Sequence, residues 1–314
     1  MIEKVAVLGA GTMGHGIAEA FAIHGYDVNL FETDEMILKT VKDEIKFELE
    51  ILAEEELIKN EDIQGTLDRI KLFKDMKEAV KNRDYVIEAV PEIIELKQKI
   101  FQQLDEYCPR HTILASNTSS LKLDDITSFA SNERKQRIMV NHWYNPAHLI
   151  PIAELSFFGN VTEEIYKDVE ALYRSIGKQT VRVLKEIPGL VANRIQQGVA
   201  REVFSLIKNG VASPEDIDKA LKFGPAFRYA TTGQLEIADF GGLDIWCIVG
   251  DNLLSVMDNS ICANPLLREK VKEGKLGVKS GEGFYSYHQV DINDVKRKYI
   301  KKLIRQLKVS EYYV

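Results

Sequence analysis

The sequence predicts an α/β fold, a doubly wound and mostly parallel sheet, followed by an all-helical C-terminal domain. Three observations predict it. Strand-like and helix-like segments alternate through the first half of the chain. Mostly helical segments follow residue 188. The length of 314 residues exceeds what one ordinary core accommodates, so two domains are expected.

The strands are predicted from short apolar runs between turn signals and helical stretches. They lie at 4–8, 27–31, 69–73, 84–90, 112–116, 137–143, 151–158 and 179–185. The principal helices between them are expected at about 34–58, 95–107 and 162–176. The alternation places the strands in one sheet, with 151–158 and 179–185 added around the last of these helices.

The character of the chain changes at PGLVANRI, residues 188–195. An apolar stripe from Ile195 to Leu206 ends at Asn209-Gly210, a helix stop. Ser213 and Asn264 each precede a proline, which is typical of a capped helix start. We therefore predict a dinucleotide-binding domain over 1–187, a helical substrate and dimerisation domain over 188–287, and a tail over 288–314. The tail carries seven Lys/Arg between 296 and 308 at helical spacing with apolar residues, which favours a docked surface helix over a membrane anchor.

Composition excludes several classes of function. The net charge of −7 provides no basic field for nucleic acid. Three cysteines without CxxC spacing predict neither a disulfide framework nor a zinc site, and no metal site is expected. The N-terminus lacks the pattern of a signal peptide, and no apolar run approaches the ~20 residues of a membrane helix. A cytoplasmic location without a membrane partner is expected.

The segment Gly9-Ala10-Gly11-Thr12-Met13-Gly14 follows the first strand and opens a helix. Gly9 permits a tight turn, Gly11 lets the backbone approach a pyrophosphate, and Gly14 allows close packing of helix and strand. The helix N-terminus then offers N–H groups and a positive dipole end to phosphates. This is the fingerprint of a Rossmann-type dinucleotide site, although a glycine motif alone is a weak signal.

Glu32 strengthens the prediction of a dinucleotide site. It ends the second predicted strand, 23 residues after Gly9, where a carboxylate accepts hydrogen bonds from the adenosine ribose. A carboxylate also repels a 2′-phosphate, and neither Thr33 nor Asp34 would bind one. The predicted cofactor is therefore NAD and not NADP.

Hydride transfer from an alcohol to NAD requires a base for the hydroxyl proton, and histidine ionises in the right range. Of six histidines, only His142 and His148 flank the carboxyl end of a predicted strand, the edge at which open α/β sheets bind ligands. Glu154 follows His142 by twelve positions and could orient its imidazole. From spacing alone, a packed core histidine and an unrelated carboxylate are equally plausible.

Six ordered motifs resemble those of the L-3-hydroxyacyl-CoA dehydrogenases and cover residues 4 to about 287. They are GAGTMGHGIAEAF, LASNTSSL (114–121), HWYNP (142–146), IPIAEL, PGLVANRI and LGVKSGEGFYSY (276–287). The resemblance implies that His142 is the general base and Glu154 its partner. It also implies that Ser116 and Asn193 contact the substrate's 3-oxygen or the nicotinamide region; strand-end or helix-cap roles are the alternative for both.

The resemblance further implies that Glu92, Lys97, Asn117 and Asn145 belong to the cofactor and active-site region, with Gly9, Gly11, Thr12, Met13, Gly14 and Glu32 at the phosphates and ribose. It implies a homodimer as well. On this basis we expect an oxidoreductase that acts on a short-chain L-3-hydroxyacyl-CoA.

Two departures leave the substrate open. The stretch KFELEILAEEEL (46–57) carries five glutamates where the family tends to have serine and lysine for CoA phosphates, although such a run is usually a solvated helix face. GPAFRYATTGQLE (224–236) resembles the branch that holds L-gulonate 3-dehydrogenase and L-carnitine dehydrogenase. Its Arg228 could bind a free carboxylate, or form a surface salt bridge. A free 3-hydroxy acid is thus the alternative substrate, and a non-catalytic crystallin-like NAD-binding protein the alternative from another class.

Overall fold

A single twisted sheet organises the N-terminal part of the chain. The computed structural model describes residues 2–311. Within them the strands are β1 (Lys4–Leu8), β2 (Asp27–Phe31), β3 (Ile70–Phe73), β4 (Tyr85–Glu88), β5 (Ile113–Ser116), β6 (Ile138–Trp143), β7 (Ile152–Ser156) and β8 (Gln179–Val183). Their order across the sheet is β3-β2-β1-β4-β5-β6-β7-β8. Each strand lies inside a segment predicted from the sequence, so the predicted fold class is confirmed.

Parallel pairing dominates the sheet, and one exception shapes the site. All neighbouring strands pair in parallel except β6 and β7, which are antiparallel. The central strands are buried along nearly their whole length, as expected of strands covered by helices on both faces. The carboxyl ends of β1, β4, β5 and β6 therefore meet at one edge, where polar side chains follow the apolar runs.

The helices of this part cover the two faces of the sheet. They are α1 (Gly14–Ile23), α2 (Glu35–Glu54), α3 (Asp62–Arg69), α4 (Met76–Val80), α5 (Ile94–Tyr107), α6 (Leu123–Ile126), α7 (Asn132–Lys135) and α8 (Glu163–Ser175). α2 is shorter than the predicted 34–58. Glu56 adopts a left-handed φ of 58°, and the N–H of Leu57 donates to Leu52 O at 2.9 Å, which terminates the helix.

The second part of the chain is helical. Its helices are α9 (Ala192–Lys208), α10 (Pro214–Phe223), α11 (Pro225–Tyr229), α12 (Gln234–Gly241), α13 (Leu243–Leu253), α14 (Pro265–Lys272) and α15 (Ile292–Ser310), with a 3₁₀ turn at Val278–Ser280. Ser213 and Asn264 accept hydrogen bonds from the N–H groups of Asp216 and Leu266, as capping residues do.

The backbone groups into two compact units, Met1–Val191 and Ala192–Val314. The predicted tail thus belongs to the second unit as α15. Ile300 and Ile304 of this helix are buried, so its apolar stripe is packed. None of the helices described over residues 2–311 combines the length and apolarity that crossing a bilayer requires.

Candidate active site

The glycine loop after β1 has the geometry that a dinucleotide requires. Gly9 has a φ of +94°, which L side chains rarely adopt, and a Cβ there would lie 2.9 Å from Ala89 O. A Cβ at Gly14 would lie 1.7 Å from Gly9 O, so only glycine fits. A Cβ at Gly11 would meet no atom within 4 Å, which leaves its backbone approachable. The three glycines therefore play the three different parts that the motif predicts.

The first turn of α1 directs backbone donors at this loop. The N–H of His15 donates to Gly11 O at 3.2 Å, and the N–H of Ile17 donates to Met13 O at 2.9 Å. Thr12 and Met13 thus lie at the start of the helix, where N–H groups have no carbonyl partner earlier in the helix. Such a helix start attracts the phosphates of a dinucleotide.

Glu32 lies at the end of β2 and organises the adjacent turn. Its Oε2 accepts the N–H of Ala10 at 2.9 Å, and its Oε1 accepts the N–H groups of Thr33 at 2.7 Å and Asp34 at 3.0 Å. The carboxylate is thus held beside the glycine loop. A cavity of about 1110 Å³ runs from Gly9, Gly11, Thr12 and Met13 past Glu32, which suits an adenosine moiety.

His142 and Glu154 are brought together by the antiparallel pairing of β6 and β7. The two residues lie directly opposite each other in the register. The imidazole Nδ1 is 2.9 Å from Glu154 Oε2. The glutamate side chain is wholly buried and the histidine side chain is 7% exposed. The spacing of twelve residues is therefore that of a hairpin pair across two strands.

The hydrogen bond defines the chemistry available to the histidine. A carboxylate only accepts, so Nδ1–H is the donor and the neutral ring carries its lone pair on Nε2. The second carboxylate oxygen, Glu154 Oε1, accepts the N–H of Val191 at 2.8 Å. Tyr144 packs edge-on against the imidazole with ring centroids 5.4 Å apart. An imidazole held in this way can accept a proton at Nε2 while the carboxylate stabilises the resulting charge.

Glu88, which sequence reasoning missed, lies at the carboxyl end of β4 in a buried network. Its Oε2 accepts the Ser116 hydroxyl at 2.7 Å and its Oε1 accepts the Lys97 ammonium at 2.6 Å. The side chains of Glu88 and Lys97 are 0% and 1% exposed. Burial raises the pKa of Glu88, and the Lys97 ammonium offsets this only in part. The one available signal was a glutamate inside the apolar run DYVIEAV.

Ser116 and Lys97 are consequently engaged within the protein. The Ser116 side chain is fully buried and donates to Glu88, while Lys97 also lies 3.3 Å from Glu92. Their roles toward substrate and cofactor stay predictions. Ser119, on the same loop, differs from Ser116 in being partly exposed. The motif LASNTSSL contains three serines, and sequence alone could not rank them.

Glu92 ties the loop after β5 to the loop after β4. Its Oε1 accepts the Thr118 hydroxyl at 2.5 Å and the N–H groups of Ser119 and Ser120 at 3.1 Å each. Burial acts to raise the pKa of Glu92, but these hydrogen bonds and Lys97 outweigh it and the pKa is lowered. Glu92 therefore remains ionised and fixes the serine-rich loop.

Asn117 and Asn145 stand near His142 in the fold. Asn117 Oδ1 accepts the N–H of Trp143 at 2.8 Å, which joins the ends of β5 and β6. Asn145 is exposed in the loop after β6. In the helical unit, Asn193 is the second residue of α9, and Arg228 is exposed on α11. Within residues 2–311 the Arg228 guanidinium forms no salt bridge with a carboxylate.

Two family models match the chain. The NAD-binding domain of 3-hydroxyacyl-CoA dehydrogenase matches residues 4–187, and the C-terminal domain of the same enzyme matches residues 189–287. The chain belongs to the 3-hydroxyacyl-CoA dehydrogenase family. It is therefore an NAD-dependent oxidoreductase that acts on CH–OH groups, as the sequence predicts.

Individual members of the 3-hydroxyacyl-CoA dehydrogenase family align along most of the chain. A probable 3-hydroxybutyryl-CoA dehydrogenase of Bacillus subtilis is 36% identical over 289 residues, 92% of this chain and 98% of the relative. A 3-hydroxybutyryl-CoA dehydrogenase structure from Ralstonia eutropha has a TM-score of 0.72 at 32% identity and covers 92% of this chain and 100% of its own.

A third relative has a different substrate. The 5-formyl-3-hydroxy-2-methylpyridine 4-carboxylate 5-dehydrogenase of Mesorhizobium japonicum is 30% identical over 311 residues, 99% of each chain. A crystal structure of an enzyme of that name, described as an NAD⁺-dependent dismutase, has a TM-score of 0.89 and covers 99% of both chains. Membership of the family therefore leaves the substrate to be determined.

Proposed function

We propose that the protein interconverts a short-chain L-3-hydroxyacyl-CoA, of the 3-hydroxybutyryl type, and the corresponding 3-ketoacyl-CoA. The observation that carries the chemistry is the buried His142–Glu154 pair, with 2.9 Å between Nδ1 and Oε2, on the sheet that also holds the glycine loop. The 36% identity to a probable 3-hydroxybutyryl-CoA dehydrogenase supports the substrate.

In the oxidation, His142 Nε2 accepts the proton of the substrate hydroxyl as the C–H bond at the same carbon breaks and the carbonyl forms. Bound NAD supplies the acceptor for the hydride. Glu154 stabilises the imidazolium by charge and by its hydrogen bond to Nδ1–H. Ser119, on the loop fixed by Glu92, is proposed to hold the reacting oxygen. The reverse reaction returns the proton from the imidazolium to the new alkoxide.

A second candidate substrate is a small hydroxy acid with a free carboxylate. Three observations favour it. The pyridine carboxylate dehydrogenase aligns over 99% of both chains. Arg228 is exposed and, over residues 2–311, lacks a salt bridge to a carboxylate. The stretch 46–57 has five glutamates and one lysine, which is unfavourable for the phosphates of CoA.

Arg228→Ala separates the two candidates. If the substrate is an acyl-CoA, we expect turnover of acetoacetyl-CoA with NADH and no more than a few-fold change in the variant. If it is a free acid, we expect NAD reduction with L-gulonate, L-carnitine or a pyridine hydroxymethyl carboxylate, and a kcat/KM lowered about 10–100-fold in the variant, because a charged hydrogen bond is lost. Lys222→Ala, at another exposed cation, is the matched control. If the wild-type protein turns over none of these substrates, the proposed function is contradicted.

We also propose a cytoplasmic homodimer formed through the helical unit. The exposed thiols of Cys247 and Cys262 suit a reducing compartment. Helices α12 and α13 and the residues that follow expose a large apolar surface of the kind that oligomers bury. It includes Leu235, Phe240, Leu243, Leu254 and Val256, which are 60–85% exposed.

Ile248→Glu is expected to convert the dimer to a monomer. Ile248 of α13 is 58% exposed, and a buried carboxylate at an apolar interface is strongly unfavourable. Light scattering with size-exclusion chromatography measures the mass against the 35.6-kDa chain. Met36→Glu, at a 67% exposed apolar position of α2, is the control and should remain dimeric. A monomeric wild-type protein would refute the proposal.

A further inference from the structure

A second cluster of ionisable side chains lies where α1, α2 and the loop after β6 meet. His15 and Glu19 belong to α1, Glu48 to α2, and His148 to the loop that follows His142. His148 Nδ1 lies 3.5 Å from Glu19 Oε2 and 3.6 Å from Glu48 Oε2. The side chains of Glu19 and His148 are 0% and 1% exposed. The proposed reaction uses none of these groups.

Five buried polar atoms of this cluster lack a hydrogen-bond partner within the described part of the chain. Among residues 2–311, neither carboxylate oxygen of Glu19, nor Oε2 of Glu48, nor either ring nitrogen of His148 has a hydrogen-bond partner. Burial of a polar group without a partner is costly, and native proteins generally avoid it. A group of unpartnered polar atoms on three adjacent buried side chains points to a ligand that contacts all three.

His15 adds a fourth group with a defined tautomer. Its Nδ1 lies 2.8 Å from Gly11 O, and a carbonyl only accepts, so Nδ1–H is the donor. In the neutral ring the lone pair is therefore on Nε2, which lies 3.4 Å from Glu48 Oε2. Donation of the other ring N–H to a carbonyl is the usual way in which proteins orient a metal-binding histidine.

The separations fit a small divalent ion. Ligand atoms about 2.1 Å from a four-coordinate Zn²⁺ lie about 3.4 Å apart. Glu48 Oε2 lies 3.4 Å from His15 Nε2 and 3.6 Å from His148 Nδ1, and His148 Nδ1 lies 3.5 Å from Glu19 Oε2. The ligand atoms of Glu19, Glu48 and His148 all lie within 4.8 Å of one another. Two carboxylates also neutralise a divalent charge, which a buried ion requires.

We propose that Glu19, Glu48 and His148, with His15 beside them, bind a divalent transition-metal ion. Imidazole with carboxylate suits Zn²⁺ or Mn²⁺ better than an alkali cation.

Gly16 makes the site possible, because it brings the loop after β6 close to α1. A Cβ at Gly16 would lie 3.3 Å from Ala147 Cβ and 3.4 Å from His148 Nδ1. From another side, the Lys178 ammonium donates to Ala147 O and Ile150 O at 2.6 Å each, which fixes the same loop. The ion would thus join the helix that begins at the glycine loop to the segment that begins at His142. Its role is positional, and it is independent of the substrate.

The test measures metal content and stability, with the full-length protein purified without chelator or affinity metal. We expect about one Zn²⁺ or Mn²⁺ per chain by mass spectrometry, and a melting temperature that rises when Zn²⁺ is added to the EDTA-treated protein. Glu19→Gln and His148→Gln should each abolish both effects. His111→Gln, at an exposed histidine that pairs with Asp84, is the matched control and should keep both.

Three outcomes would overturn the site: no stoichiometric metal in the wild-type protein together with no thermal shift, retention of metal by both cluster variants, or equal loss of metal from His111→Gln. Circular dichroism verifies that each variant is folded. If Glu19→Gln does not fold, His148→Gln decides the question alone, because it removes the ring-nitrogen ligand and leaves both carboxylates in place.

Discussion

His142→Gln is expected to lower kcat by at least about 10²-fold while leaving the KM for NAD within a few-fold of the wild-type value. Glutamine can fill the space and form a hydrogen bond to Glu154, but it cannot accept the hydroxyl proton. NADH oxidation with acetoacetyl-CoA, or NAD reduction with the hydroxy acid that reacts, measures the effect. The loss should fall on kcat, because the imidazole acts on the reacting proton and lies outside the cavity formed by Gly9, Gly11 and Glu32.

His111→Gln again provides the comparison. This histidine is exposed and lies far along the chain from the glycine loop, and its variant should retain full activity. A His142→Gln enzyme with a near-normal rate would eliminate the proposed base. A variant that loses NAD binding in place of turnover would instead assign His142 to the cofactor.

Lys97→Met is expected to destabilise the first unit by about 3–5 kcal/mol, because it leaves the buried Glu88 carboxylate without its ammonium partner. The free energy of unfolding, from urea denaturation followed by far-UV circular dichroism, measures the loss. Lys81→Met removes a cation from an exposed pair with Glu78 and should cost less than about 1 kcal/mol. The double variant Glu88→Gln/Lys97→Met should recover much of the stability.

The loss of stability in Lys97→Met is expected to depend on pH. Burial raises the pKa of Glu88 in the folded state, and removal of Lys97 raises it further. A raised carboxyl pKa favours folding at low pH, and this contribution is lost as the pH rises from the unfolded pKa through the folded one. The deficit of Lys97→Met should therefore be larger at pH 7 than at pH 5. A deficit independent of pH would indicate that packing, and not charge, is responsible.

The sheet could be predicted well because its strands are apolar runs that alternate with helices. β1 and β2 have the bounds predicted from KVAVL and DVNLF. The end of α2 could not be predicted, since Glu56 adopts a left-handed conformation that sequence rules assign to glycine. Local patterns specify strands and helices, but they do not reveal such exceptions.

The site was predictable in part. The glycine loop and Glu32 depend on local backbone geometry, so their motif specifies them. Glu48 was interpreted as part of a solvated helix face, yet it contacts His15 and His148 in a buried cluster. The opposition of His142 and Glu154 depends on how two strands pair, which no spacing of twelve residues dictates by itself. Local sequence patterns do not specify contacts between segments that are far apart in the chain.

The hydrogen bond from Val191 to Glu154 determines where this protein can be divided. A truncated first unit that ends at residue 187, where the family model ends, would lack the N–H that reaches Glu154 Oε1 at 2.8 Å. Gly189 and Leu190, with φ values of 83° and 45°, turn the backbone so that this N–H faces the carboxylate. Isolated versions of the sheet unit, and chimaeras that exchange its helical partner, should therefore retain residues 188–191 as part of the catalytic half.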